Sequence, residues 1–302
     1  MRYVIAVVGI LIITLPGLAA EQADAKRAGE IYPYMCSGPL EGAIVTDKPE
    51  GAVASYGGVA VSQADLDKAL QDAPEFIKTQ LSQYPIYVLE QQIVRGLLVK
   101  EAKDWAARND KSINVDETEL MGTYLASSVP EAEVTEDEIR AFYEENKAMF
   151  HGAGFDQVRS HIMSYLKNEK RSTAQHELIN SVWKRHRIEI SDAWLKSAAA
   201  KWAENPVETA RTSGKPSFIA FSTVGCCDTV GPIVQKLKSD NGDALNTVFV
   251  NLANEQVLAN LYRIRSSPVL FIFDKDGKEI MRQHGNLTAE QIQARLDIIG
   301  VE

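Results

Sequence analysis

Residues 218–232 read FIAFSTVGCCDTVGP and set the narrowest constraint on what this chain can become. An apolar run ends in a turn. Two adjacent cysteines, Cys226 and Cys227, stand where a helix should begin, and Pro232 follows inside that helix. Downstream the pattern keeps alternating. Strand-like runs at 217–222, 247–251 and 269–273 are separated by helical stretches at 232–238 and 255–262. A DKDG turn at 274–277 leads to a further strand at 278–283, and an amphipathic helix closes the chain at 288–299. Strands alternating with helices predict an α/β layer from about residue 205 to the end.

The rest of the 302 residues is enough for a second domain. With 41 acidic against 32 basic side chains the formal charge is −9, which argues against a nucleic-acid binder. Residues 1–20 have the layout of a secretory signal peptide. Arg2 precedes an apolar run at 4–15, Pro16-Gly17 breaks it, and Leu18-Ala19-Ala20 offers small residues before Glu21. An uncleaved anchor is the alternative, since Leu18 stands three residues before the cut. No later stretch approaches the ~20 apolar residues of a spanning helix. The mature protein is therefore expected in the periplasm, off the membrane, where disulfides persist. The three cysteines, Cys36, Cys226 and Cys227, leave at least one unpaired thiol. The five histidines are scattered without metal spacing, so no metal site and no cofactor are expected.

Residues 21–50 lack periodicity and read as an extended N-terminal arm carrying Cys36. Residues 52–61 are two apolar runs around Gly57-Gly58, a tight hairpin. Ser62 with Asp65 forms a capping box, as does Thr135 with Glu138. Helices are expected at 63–70, 74–82, 86–108, 116–127, 135–149, 155–186 and 192–203, with a short strand at 187–190. The long helix is expected to turn Val158, Ile162, Tyr165, Leu166 and Leu178 inward. Asn205-Pro206 marks the boundary to the C-terminal domain.

The order of hairpin, LEQQIVRGLLVKEAKDWA, VTEDEIRAFYEENKAMF, FDQVRSHIMSYLKNEKR and HRIEIS resembles the N-terminal chaperone domain of SurA-like periplasmic folding factors. That family inserts a parvulin-type isomerase domain before the last long helix. Here only residues 151–154 intervene, so no peptidyl-prolyl isomerase domain is expected. The C-terminal pattern, YRIRSSPVLFIFDKDGKEI included, closely resembles thioredoxin. The resemblance implies a cis peptide at Pro268, with Ser267 and Pro268 offering backbone to a bound peptide beside the cysteines. The fold class expected is a mainly α, chaperone-like N-terminal domain (51–204) joined to an α/β thioredoxin-like domain (205–302).

The departures from thioredoxin bear on function. Phe221 to Pro232 is two residues shorter than in that family, so C-x-x-C becomes Cys226-Cys227. The buried acid that assists proton transfer is replaced by Ala220, and the aromatic residue before the first cysteine by Gly225. Adjacent Cα atoms lie about 3.8 Å apart, below the usual disulfide span of roughly 4.4–6.8 Å. A Cys226–Cys227 disulfide would thus be strained and easily reduced. A helix N-terminus would stabilise the Cys226 thiolate as attacker, with Cys227 as resolving partner. Pairing of Cys226 with Cys36 or a client thiol, a soft metal such as Cu(I), and a degenerate site kept for binding remain alternatives. The expected function is a periplasmic folding factor that binds clients and exchanges disulfides at Cys226 and Cys227. The alternative is a non-enzymatic chaperone or assembly factor with a redox-inactive thioredoxin fold. Expected partners are unfolded or cysteine-containing clients and a thiol redox partner.

Overall fold

The computed structural model describes residues 25–48, 51–111, 114–150, 152–224 and 230–301. The chain begins with α1 (Ala28–Ile31), a 3₁₀ turn at Gly38–Leu40 and β1 (Ile44–Thr46). The hairpin β2 (Ala52–Tyr56) and β3 (Val59–Ser62) turns at Gly57 and Gly58, both at positive φ, as a two-residue hairpin of this hand requires. Six helices follow: α2 (Gln63–Asp72), α3 (Glu75–Gln83), α4 (Pro85–Arg108), α5 (Glu117–Ser128), α6 (Glu136–Glu145) and α7 (Phe155–Lys184). The chain then returns as β4 (Ile188–Ser191) and leaves through α8 (Asp192–Trp202).

The residues expected as an extended arm are folded wherever they are described. β1 lies parallel to β4, Ile44 opposite Glu189, and β4 runs antiparallel to β2, Ala54 opposite Ile190. The sheet order is β1-β4-β2-β3. Ala28, Met35, Cys36, Leu40 and Ala43 are buried beneath this first stretch. A short segment with no periodicity of its own was ordered by a strand far away in sequence, which local pattern cannot show.

The helix starts follow their caps. The Ser62 hydroxyl accepts from the Asp65 N–H while the Asp65 carboxylate accepts from the Ser62 N–H, and Thr135 with Glu138 repeats the exchange. Asp116 caps α5 through the N–H groups of Thr118 and Glu119. Gly96 on α4 has a packing reason. A Cβ there would lie 1.8 Å from the Tyr56 hydroxyl, so only glycine admits the β2 side chain.

The long helix α7 departs from its expected inward stripe. Ile162 and Val182 are its buried residues, Val158, Leu166 and Leu178 are half-buried, and Tyr165 is exposed. The Tyr165 ring packs on Phe142 of α6 at 5.2 Å instead of entering a core. The α6–α7 pair is held along its surface by Arg159–Glu136 and Lys170–Glu138 ion pairs, each 2.6 Å. Among the described residues no helix is long and apolar enough to cross a membrane.

The C-terminal part contains α9 (Pro206–Arg211), β5 (Ser217–Ser222), α10 (Val230–Asn241), β6 (Asn246–Asn251), α11 (Gln256–Leu261), β7 (Val269–Phe273), β8 (Glu279–His284) and α12 (Ala289–Ile298). Its sheet has the order β6-β5-β7-β8, with β5 parallel to β6 and antiparallel to β7. Every residue of β5 and β7 is buried, so period 2 sends alternate side chains into two cores. Phe218, Ala220, Leu270 and Ile272 meet Val234 and Leu237 of α10 and Ile292 and Leu296 of α12. Ile219, Phe221, Phe271 and Phe273 face a second core that continues into the N-terminal region.

Tyr262 sits at the centre of that second core. Its ring stacks on Trp202 of α8 at 5.5 Å and packs against Phe221, also at 5.5 Å. Tyr84 meets Trp202, and Tyr34 meets Phe273. The junction between the two parts is itself packed. Asn205 is fully buried, accepts from the Glu208 N–H and donates to the Trp202 carbonyl. Arg211 pairs with Glu208, donates to the Gly277 carbonyl at 3.0 Å and covers the Tyr34 ring.

Candidate functional site

One end of the C-terminal sheet collects the chain features that the sequence singled out. β5 ends at Ser222, whose carbonyl accepts from the Leu252 N–H as β6 leaves the sheet. α10 starts at Val230 and carries Pro232 in its first turn, where the missing N–H costs nothing. Cys226 and Cys227 fall between these two elements, in residues 225–229, outside the described residues. Beside Phe221 lies Val269, the first residue of β7, and beside Val269 lies His284, the last of β8. The peptide bond Ser267–Pro268, immediately before β7, is cis.

The loop leading to Pro268 is fixed by two contacts. The Pro268 carbonyl accepts from the Gly285 N–H at 2.9 Å, and Ser266 Oγ lies 3.1 Å from His284 Nδ1. Ser266 and Ser267 are exposed and Pro268 is half-buried. Among the described residues the backbone N–H and C=O of Ser267 have no hydrogen-bond partner. An open backbone donor and acceptor at the margin of a sheet can pair with an extended peptide.

Ala220 is fully buried, packed in the core under α10. Its methyl group brings no proton acceptor to this point of β5. Cys36 is buried at 1% exposure. Burial, with the Glu90 charge adding to it, pushes its thiol up to about 12, so it stays protonated and unreactive in the folded chain.

Several polar groups in the shared core were not picked out from sequence. Burial pushes the Glu90 carboxyl up to about 7, against the pull of Arg263. Glu90 Oε1 also lies where a Cβ on Gly38 would stand, 2.6 Å away. One signal was available, since Glu90 interrupts the apolar series Ile86, Ile93 and Leu97 at helical spacing. The Tyr84 and Tyr262 hydroxyls and Glu255 Oε2 are buried with no hydrogen-bond partner among the described residues. Burial raises the Tyr84 and Tyr262 hydroxyls and the Glu255 carboxyl above their usual ranges. Nothing in local pattern marks these, because the groups converge from separate elements.

Residues 204–299 match the family of thioredoxin-like domains. This part of the chain is a thioredoxin-like domain. It is 30% identical over 92 residues to the chloroplastic thioredoxin Y of Oryza sativa subsp. japonica, covering 30% of this chain and 54% of that protein. It is 29% identical over 87 residues to the chloroplastic thioredoxin Y1 of Arabidopsis thaliana, covering 28% and 50%. The chain thus spans about half the length of the curated relatives it matches. Among solved structures, chloroplastic thioredoxin z is 22% identical, with a TM-score of 0.29 over 32% of this chain and 88% of that one. The thioredoxin-like domain is consistent with either a thiol–disulfide role or an interaction module.

Proposed function

We propose that the chain is an exported folding factor. Its helical N-terminal region would hold unfolded clients, as the resemblance to SurA-like factors implies. Its thioredoxin-like domain would exchange disulfides through Cys226 and Cys227. The observation that carries this reading is the exposed Ser267–Pro268 loop, with its open backbone, beside the exit of β5, the strand whose continuation bears both cysteines. A client in extended form would pair with the open Ser267 backbone, which would present its sulfur to the cysteine segment. The Cys226 thiolate would attack a client disulfide, forming a protein–client disulfide and releasing the other client sulfur as thiolate. Cys227 or an outside thiol would then resolve the mixed disulfide. Exposed Phe76, Met149 and Tyr165 in the helical region support client binding there. The signal-peptide layout of residues 1–20 supports action in the periplasm.

A second reading has its own support. Ala220 supplies no proton acceptor at its own buried position on β5, which favours a domain kept for binding alone. Differential alkylation of the mature protein across a glutathione series separates the two. The exchange reading expects a reversible disulfide that includes Cys226, together with loss of mixed-disulfide formation in Cys226→Ser. Cysteines that stay reduced throughout would leave the interaction module.

A further inference from the structure

The margin around Pro268 has a distinctive charge. Arg265, Ser266 and Ser267 lead into it and His284 closes it, and all four are exposed. Arg265 has no ion-pair partner among the described residues, whereas Arg282 further along β8 is taken up by Glu279 at 2.9 Å. Arg263, nearer the helical region, acts on the half-buried Glu90. Ser266 Oγ lies 3.1 Å from Nδ1 of His284, which leaves Nε2 at the other side of the ring, away from that contact. The edge beside the open Ser267 backbone therefore offers hydrogen-bond donors and positive charge in a chain whose formal net charge is −9.

We infer that Arg265 and His284 set client choice, selecting extended segments that carry acidic side chains next to the cysteine that docks at Ser267–Pro268. The inference rests on the proposed function for its setting and adds the class of segment recognised. Two features of the fold give it geometry. His284 pairs with Val269 directly after Pro268, so it lies one strand over from a docked backbone. Ser266 joins the two sides of the margin through its contact with His284, so the ring is held rather than free. An extended client bound along this edge would place alternate side chains toward the margin, where a carboxylate meets Arg265 and the imidazole of His284.

The test uses the full mature chain in its thiol form and two synthetic peptides, each a mixed disulfide with glutathione. In one the cysteine is flanked by aspartates, in the other by lysines. Attack by Cys226 on the peptide sulfur releases glutathione thiolate, so the rate is read from free glutathione with no net oxidation. The acidic peptide should react about three- to five-fold faster at low salt, with the preference fading as salt rises. Arg265→Glu should reverse the order, and His284→Ala should reduce it. An equal rate for both peptides, or an unchanged preference in Arg265→Glu, overturns the inference. Serine versions of the same peptides are titrated in parallel, read by amide shifts at Ser267 and Gly285. That arm scores recognition even if the chain exchanges no disulfide: preferred binding of the acidic serine peptide upholds the inference, and equal binding defeats it. Failure of both glutathione peptides to react, or reaction unaltered in Cys226→Ser, counts against the exchange reading alone.

Discussion

The two faces of the thioredoxin-like sheet are covered from different sources. One face packs against α10 and α12, which belong to the same domain. The other packs against α11 but also against Tyr34, Tyr84 and Trp202 from the N-terminal region. The first face closes with local partners, whereas the second depends on residues as far off in sequence as Tyr34, which packs on Phe273. A single α/β domain and a helical region have therefore come to share one apolar core. What the sequence shows as a boundary at Asn205 is, in space, a buried and capped turn.

The sharpest way to break this comparison is to remove the far source of cover. Expressed alone, residues 204–302 should bind a hydrophobic dye and melt well below the full chain, because Phe221, Phe271 and Phe273 lose their outer packing. A fragment as stable as the whole chain would show that the second face needs no help. Trp202→Ala in the full chain should cost about 3–5 kcal/mol, with both halves destabilised together in chemical denaturation. A change confined to the helical region would mean the shared core does not couple them.

The same interface should sense pH through Glu90. Its carboxyl is held near 7 in the folded chain against an ordinary 4.5, so the folded state binds that proton more tightly than the unfolded. Its contribution is complete below 4.5 and is lost as pH rises through about 7, with an upper limit of about 3 kcal/mol. Glu90→Gln should flatten this part of the stability–pH curve. A slope that persists in the variant would place the titrating group elsewhere. Gly96→Val probes the helical region by itself. The clash with Tyr56 should cost about 1–3 kcal/mol without disturbing the α10–α12 face, as read from amide exchange there. The smallest effect concerns Cys36, which native alkylation should leave untouched and denaturation should open, with Cys36→Ala costing about 1 kcal/mol. Rapid labelling of native Cys36 would show that the N-terminal cover opens freely.

Much of the fold was legible because its signals are local. Ser62 and Thr135 with their partners three residues on mark helix starts, and each forms a capping box. The apolar runs of β5 and β7 are long enough to be buried on both faces, and they are. The DKDG turn closes through Asp274, whose carboxylate accepts from the Asp276 and Lys278 N–H groups. The pairing of β1 with β4 and the aromatic core around Tyr262 were not legible, since each depends on residues that meet only in the folded chain. At the site, the cis bond at Pro268 followed from the thioredoxin resemblance. The link from Ser266 to His284 did not, because it needs the register of β7 against β8. The pairing of His284 with Val269 sets it beside Pro268, a placement that hairpin position alone does not reveal.

The position of β4 also orders events in time. β1 and β2 lie on either side of β4, and β4 comes from Ile188–Ser191, after the six helices α2 to α7. A chain delivered from its N-terminus carries β1 and the β2–β3 hairpin with one edge each unfilled until residue 191 has emerged. The first sheet is therefore completed late, with high contact order, and its open edges are a hazard for pairing with other chains in the interval. Slowing delivery before residue 191 should raise aggregation more than the same delay placed after it.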